Sequence, residues 1–71
     1  MKRFLIVIEK TDSGFSAYSP DLPGCAATGE TRNEVGANMR EAIDFHLEGM
    51  KEQGLVIPEP TCYSSYVEIP A

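Results

Sequence analysis

The chain has 71 residues, and six Lys and Arg against eleven Asp and Glu give it a formal net charge of −5. This length leaves room for one domain, residues 1–71, and the hydrophobic content of 42% is enough for a folded core. The acidic balance argues against direct nucleic-acid binding, because phosphate contacts require a basic surface. It favours basic protein partners through electrostatic steering, although modest negative charge also simply aids solubility.

The first predicted strand runs from Arg3 to Glu9, a short run rich in Ile, Val and Phe. Alternation along the run makes both of its faces apolar, which predicts a central strand that is covered on both sides or covered by a partner. Its apolar stretch is too short for the core of a signal peptide or for a membrane span. We therefore expect a cytoplasmic protein with no membrane partner.

A hairpin and a third strand follow. The turn Thr11 to Gly14 leads into a second predicted strand, Phe15 to Ser19. The segment Pro20 to Gly24 breaks that strand, because it ends in a strong Pro-Gly turn dipeptide. A short third strand, Cys25 to Thr28, is then closed by Gly29.

A helix from Arg32 to Gln53 is the clearest predicted element. Thr31 and Glu34 fit a capping box, in which Glu34 reaches back to the amide of the cap residue, and Gly54 occupies the C-cap position. The predicted core stripe consists of Val35, Met39, Ala42, Ile43, His46 and Met50. The acidic residues on roughly the opposite side are Glu34, Glu41, Asp44, Glu48 and Glu52.

The chain ends in an extended connector, Leu55 to Pro60, and a last predicted strand, Cys62 to Ile69. The predicted order is therefore β-β-β-α-β, an α+β fold with an antiparallel sheet and one helix packed across it. Because so small a sheet has exposed edges and a marginal core, we expect the chain to associate with itself as a dimer or higher oligomer.

Three stretches carry a resemblance to a known family. The segment Tyr18 to Cys25 (YSPDLPGC) is similar to the PDLPGC signature of HicB-type antitoxins, and Gly29 to Thr31 (GET) is similar to the family's GDT turn. After the helix, Gly54, Ile57, Pro58 and Pro60 match the family's G…IP.P pattern. We interpret four residues of these motifs as shaping the loop between the second and third strands: Asp21, Pro23, Gly24 and Gly29.

The resemblance implies a partial ribonuclease-H-like fold and a role as a non-enzymatic antitoxin without a cofactor. It implies that the partner is a HicA toxin, a small basic protein that cleaves messenger RNA, and that the antitoxin masks the toxin's active site. Many family members also carry a C-terminal DNA-binding domain. We expect none here, since the sequence to Ala71 contains no recognition helix and no basic patch.

The acidic side of the helix is the candidate partner-binding surface, with Glu41, Asp44, Phe45 and Glu48 as its candidate residues. A simpler interpretation is a solvated helix face, which is what such a charge pattern most often is. Phe45 lies beside this face, as an interface residue or as a filler against the connector.

Two chemical alternatives concern metals. Glu9, Asp12 and Asp21 would be the carboxylates of a degraded, metal-dependent nuclease of ribonuclease-H type, although Asp is ordinary in turns. Cys25, Cys62 and His46 offer three zinc ligands where a structural site needs four.

His46 is the only histidine, and its place in the apolar stripe favours a core or interface role over catalysis. An adaptor domain that binds an unrelated protein is the remaining alternative.

Overall fold

The computed structural model describes all residues, 1–71, and contains three strands and one helix. The elements are β1 (Val7–Thr11), β2 (Gly14–Tyr18), β3 (Ala26–Gly29) and α1 (Arg32–Glu52). The strands form one antiparallel sheet in the order β1-β2-β3, and α1 packs across β2 and β3. The predicted α+β class is confirmed. The ribonuclease-H-like arrangement stays a prediction, because three strands and a helix do not establish it.

The central strand is β2, so the prediction that the first strand is central was wrong. β1 lies at an edge and begins at Val7, four residues later than predicted. The register explains the late start, because Val7 lies opposite Tyr18, the last residue of β2. Upstream of Val7 no strand remains to pair with, and Phe4 to Ile6 are half-buried without being part of the sheet.

The second and third strands are each shifted by one residue from their predicted bounds. Ser19 is not part of β2, because its backbone N–H donates to the carbonyl of Cys25 at 3.3 Å and its hydroxyl donates to the carbonyl of Leu5 at 2.9 Å. These bonds turn the chain out of the sheet while leaving the polar groups of Ser19, a buried residue, satisfied.

The helix begins as predicted, with one difference in its capping box. The Thr31 hydroxyl accepts from the backbone N–H of Glu34 at 3.0 Å, but the Glu34 carboxylate accepts from the backbone N–H of Glu30 at 3.3 Å, not from that of Thr31. At the other end, Gly54 has a φ of +73°, and the N–H of Leu55 donates to the carbonyl of Met50 at 2.9 Å. This is a Schellman motif, and it ends the helix at the predicted glycine.

The core lies between the sheet and the first half of the helix. Five hydrophobic residues are buried, namely Ala17, Leu22, Cys25, Val35 and Met39. Ala42 and Ile43 pack against this cluster as predicted, and so does Leu47, which the predicted stripe omitted.

His46 and Met50 are half-buried and line an open groove, so their placement in the core was wrong. The helix of 21 residues is about 31 Å long, whereas a strand of five residues spans about 17 Å. The C-terminal end of the helix, beyond Leu47, therefore extends past the sheet that could cover it. The helix as a whole is not long and apolar enough to cross a membrane.

The predicted last strand, Cys62 to Ile69, does not form within the structure. Residues 55–71 belong to no helix or strand, and no hydrogen bond involves residues 63–71. The sequence is suited to a strand, but no sheet edge of the chain pairs with it. The element order is therefore β-β-β-α.

The helix approaches the sheet closely at Gly29, the last residue of β3. A Cβ atom added there would lie 2.6 Å from the backbone nitrogen of Val35 and 2.9 Å from its Cα. Asn38 reinforces this contact, because its side-chain amide donates to the carbonyl of Thr28 at 2.8 Å. Gly29 thus sets the distance between β3 and α1.

We predict that Gly29→Ala lowers the free energy of unfolding by about 1–3 kcal/mol, because the added methyl group overpacks this contact. Gly49→Ala is the matched control, since a Cβ there meets nothing within 4 Å and alanine favours a helix by up to about 1 kcal/mol. Urea denaturation of both variants measures the difference. Equal changes in the two would contradict the packing argument.

Candidate functional site

The loop from Ser19 to Cys25 carries the PDLPGC motif and is held by its own hydrogen bonds. The N–H of Leu22 donates to the carbonyl of Ser19 at 3.1 Å, and the N–H of Cys25 donates to the carbonyl of Leu22 at 3.1 Å. Gly24 has a φ of +83°, which L side chains rarely adopt, and Pro23 is exposed beside it. The loop places the side chain of Leu22, only 1% exposed, in the core.

Asp21 connects this loop to the segment after the helix. Its carboxylate accepts from the hydroxyl of Thr61 at 3.0 Å and from the backbone N–H groups of Thr61 and Cys62 at 3.3 Å each. Desolvation acts to raise the pKa of the Asp21 carboxyl, but the hydrogen bonds from Thr61 and Cys62 outweigh it and hold that pKa below its usual value. The carboxylate therefore anchors the chain 40 residues downstream.

The four partner-binding candidates lie together on the exposed side of the helix. We call Glu41, Asp44, Phe45 and Glu48 the acidic helix face. All four are exposed, and they border one shallow depression together with Leu47 and Lys51. The single ion pair of the structure joins Lys2 to Glu59 at 2.9 Å, so no Lys or Arg lies within 4.0 Å of these carboxylates.

The spacing within the acidic helix face places like charges side by side, although Arg40 lies four residues before Asp44 and Lys51 three residues after Glu48. Asp44 and Glu48 are four residues apart, and Glu41 and Asp44 are three apart, so like charges are neighbours on the helix surface. Each such pair costs the helix a few tenths of a kcal/mol. A positively charged partner would relieve this repulsion.

Phe45 is 83% exposed, so the alternative in which it fills space against the connector was wrong. It borders the open groove that also contains His46, Met50 and Leu55. Aromatic side chains are enriched at protein-binding surfaces, which makes Phe45 the candidate apolar anchor of this face.

Neither of the two predicted metal sites, the carboxylate site and the zinc site, is assembled in the structure. The structure brings no three His, Cys, Asp or Glu side chains within reach of one metal ion. Glu9, Asp12 and Asp21 form no such group, and neither do Cys25, Cys62 and His46, although Cys25 and His46 line the same groove. Both cysteines are free thiols.

The thiols themselves are disfavoured as metal ligands. Burial raises the pKa of Cys25, and burial followed by the neighbouring Asp21 carboxylate raises the pKa of Cys62. Because the thiolate is the metal-binding form, both effects weaken binding.

The sequence of residues 4–71 matches the family model of the HicB-like antitoxin of bacterial toxin–antitoxin systems. The chain belongs to the HicB-like antitoxin family. The match extends over the motif loop, the helix and the segment after it, so the resemblance in the sequence motifs is confirmed.

Curated relatives of this HicB-like chain include longer proteins. An uncharacterised 14.9 kDa protein of Haemophilus phage HP1 is 40% identical over 65 residues, which cover 92% of this chain and 49% of the phage protein. Antitoxin HicB 2 of Photorhabdus laumondii is 32% identical, over 97% of this chain and 50% of that protein. The chain thus spans about half the length of these two relatives.

A solved structure has the same fold. A chain of a HicA3 and HicB3 toxin–antitoxin complex matches with a TM-score of 0.68 and 34% sequence identity, over 83% of the HicB-like chain and 72% of the solved one.

Sequence reasoning named Asp21, Pro23 and Gly24 in the loop but missed what the loop serves. Gly29, also predicted to shape this loop, instead ends β3 and lies against the helix. Leu22 fills the core and Thr61 is the partner of Asp21, and neither was among the predicted residues. An apolar residue between Asp21 and Pro23 inside a polar turn was the available signal for Leu22. No local signal joins Asp21 to Thr61, since 40 residues separate them.

We predict that the anchor at Asp21 is released in acid. Because the pKa of its carboxyl is lowered in the folded chain, its stabilisation is complete above the usual Asp pKa of about 3.9 and is lost as the pH falls through the lower folded value. The backbone amide signals of Thr61 and Cys62 in NMR spectra should therefore shift together, with a midpoint below about 3.9.

Asp21→Asn should abolish this shared titration, whereas Asp12→Asn, at an exposed turn position, should leave it in place. Amide signals that titrate unchanged in Asp21→Asn would show that another carboxylate is responsible.

Proposed function

We propose that this chain is an antitoxin that binds a HicA-type toxin through its acidic helix face and masks the toxin's active site. The observation that carries the proposal is the acidic helix face itself, with three carboxylates lacking ion-pair partners around an exposed Phe45. Membership of the HicB-like antitoxin family and the match to a chain of a toxin–antitoxin complex support the choice of partner.

The physical basis is complementarity with a basic ribonuclease. An active site that binds RNA is positively charged, because it must attract phosphates. An acidic surface competes for the same cations, and a central aromatic side chain supplies the desolvated contact that unpaired surface charges do not. Binding of this kind needs no catalysis by the antitoxin. Glu9, Asp12 and Asp21 do not form a cluster that could hold a metal ion, so they give no support to a nuclease.

We further propose that the chain associates with itself, since only six of its 71 residues are buried. A cytoplasmic location and the absence of direct DNA binding stay predictions.

The charge-reversal variant Glu41→Lys with Glu48→Lys should bind a purified HicA-type toxin at least about tenfold more weakly, because two attractive contacts become repulsive. It should also show a smaller dependence of Kd on salt and should no longer stop RNA cleavage by the toxin. Isothermal titration calorimetry at several salt concentrations measures the first two quantities.

The matched control is Asp12→Lys with Glu30→Lys, which changes the net charge equally at exposed positions before the helix. If the two double variants weaken binding to the same extent, long-range charge explains the effect and the acidic helix face is not the interface.

Phe45→Ala should leave the free energy of unfolding within about 0.5 kcal/mol, since the side chain is exposed. It should weaken toxin binding by about 2 kcal/mol, or roughly thirtyfold, if Phe45 is the anchor of the interface. Tyr18→Ala is the aromatic control, because Tyr18 points to the sheet face opposite the helix. Unchanged toxin affinity in Phe45→Ala would remove Phe45 from the interface.

A further inference from the structure

Residues 63–69 have the pattern of an amphipathic strand but are unpaired. Alternation places Tyr63, Val67 and Ile69 on one face and Ser64, Tyr66 and Glu68 on the other. The four large side chains among them are 71% to 97% exposed. With strand-forming residues and no hydrogen bonds, this segment has both the composition and the free backbone groups for sheet formation.

The open edge of β1 and its upstream extension have the same length as segment 63–69. β1 pairs with β2 on one side only, and its upstream extension from Phe4 to Ile6 is half-buried and pairs with no strand. The edge from Phe4 to Lys10 has seven residues, as does the segment 63–69, so each spans about 23 Å. Phe4 and Ile6 also line a shallow groove against Ile43 and Leu47 of the helix, which an apolar strand face would cover.

The charges of the two parts are compatible. Three of the six cations of the chain, Lys2, Arg3 and Lys10, lie at or beside this edge. Three acids are also near it: Glu9 on the strand, Glu59 paired with Lys2, and Asp44 in the groove. Segment 63–69 carries the single acid Glu68 and no cation. Elsewhere the chain is strongly acidic, so the edge of β1 is the surface on which a second copy of this chain meets the least repulsion.

The shape of the chain directs the segment beyond Ser64 away from its own body. Asp21 holds Thr61 and Cys62 beside the loop, and Cys62 to Ser64 lie near residues 3–6. Beyond this point the side chains are almost fully exposed, and the chain measures 48 × 26 × 19 Å. Its radius of gyration is 13.8 Å, against about 11 Å for a compact domain of this length.

From these observations we propose that two copies of this chain exchange residues 63–69, each segment adding a fourth strand at the β1 edge of the other copy. In the two exchanged segments, the strand faces that cover the grooves carry two tyrosines, at about 150–250 Å² each when buried, and four aliphatic side chains. With the matching area covered on the other copy, the interface is on the order of the roughly 1,200–2,000 Å² of stable interfaces. The proposal specifies the self-association proposed above and does not depend on toxin binding.

Light scattering of the eluting protein during gel filtration tests the exchange without any toxin. The full chain should be a dimer, and Val67→Ser with Ile69→Ser should raise its dissociation constant at least about a hundredfold, because it removes four buried aliphatic side chains from each dimer. Leu55→Ser with Val56→Ser is the matched control, since it removes two exposed aliphatic residues outside the segment and should leave the dimer intact.

A mixture of isotope-labelled and unlabelled chains distinguishes exchange from other contacts. Isotope-filtered NOEs should connect residues 63–69 of one copy with residues 4–10 of the other. A monomeric full chain, a dimer that survives Val67→Ser with Ile69→Ser, or NOEs between these segments only within one chain would each overturn the proposal. A dimer that fails to bind toxin would leave the exchange standing and overturn the proposed function alone.

Discussion

The loop from Ser19 to Cys25 joins three parts of the chain that no regular secondary structure connects. Ser19 bonds to the backbone at Leu5, Leu22 fills the core beneath the helix, and Asp21 holds the chain at Thr61. Each contact satisfies a polar group or buries an apolar one at a place where the sheet has already ended. The motif that identifies the family is therefore first a structural device, and the other surfaces of the molecule are positioned relative to it.

A core of this size limits what the fold can do alone. The buried residues lie under the first half of the helix, while the C-terminal end of the helix extends beyond the sheet and His46 and Met50 line an open groove. The side of the helix that faces water there carries the acidic helix face. Surfaces for partners are thus located where the chain has no further strand or helix to cover them, and both proposed interfaces add burial that the monomer lacks.

Local chemistry in the sequence predicted the local features well. The Thr31 cap, the Gly54 ending and the hairpin turn depend on residues close in sequence, and the structure has all three. The central position of the first strand could not be predicted, because apolar residues on both faces fit a central strand and also an edge strand that awaits a partner. The same ambiguity applies to residues 62–69, whose strand pattern is clear but whose pairing partner is absent from the chain's own sheet.

In the candidate site, too, local features could be predicted from the sequence and long-range contacts could not. Helical periodicity was enough to place Glu41, Asp44, Phe45 and Glu48 on one exposed surface, because all four belong to one rigid element. Periodicity did not predict that His46 is only half-buried. It gives the direction in which a helical side chain points, but not how far the opposing sheet extends. The contact between Asp21 and Thr61 depends on how a loop and a distant segment fold together, and no spacing rule contains that information.

The two proposed interfaces meet on the helix. Asp44 and Leu47 border the depression of the acidic helix face, and they also border the groove that contains Phe4 and Ile6 beside β1. A strand from a second copy seated at that edge would lie next to the surface proposed for the toxin. A toxin large enough to cover the acidic helix face would then touch both copies, and its binding would stabilise the dimer by the same free energy with which the dimer strengthens toxin binding. Toxin binding at the acidic helix face and dimer formation at the β1 edge would in this way stabilise each other. Asp44 and Leu47 are the residues that the two surfaces share.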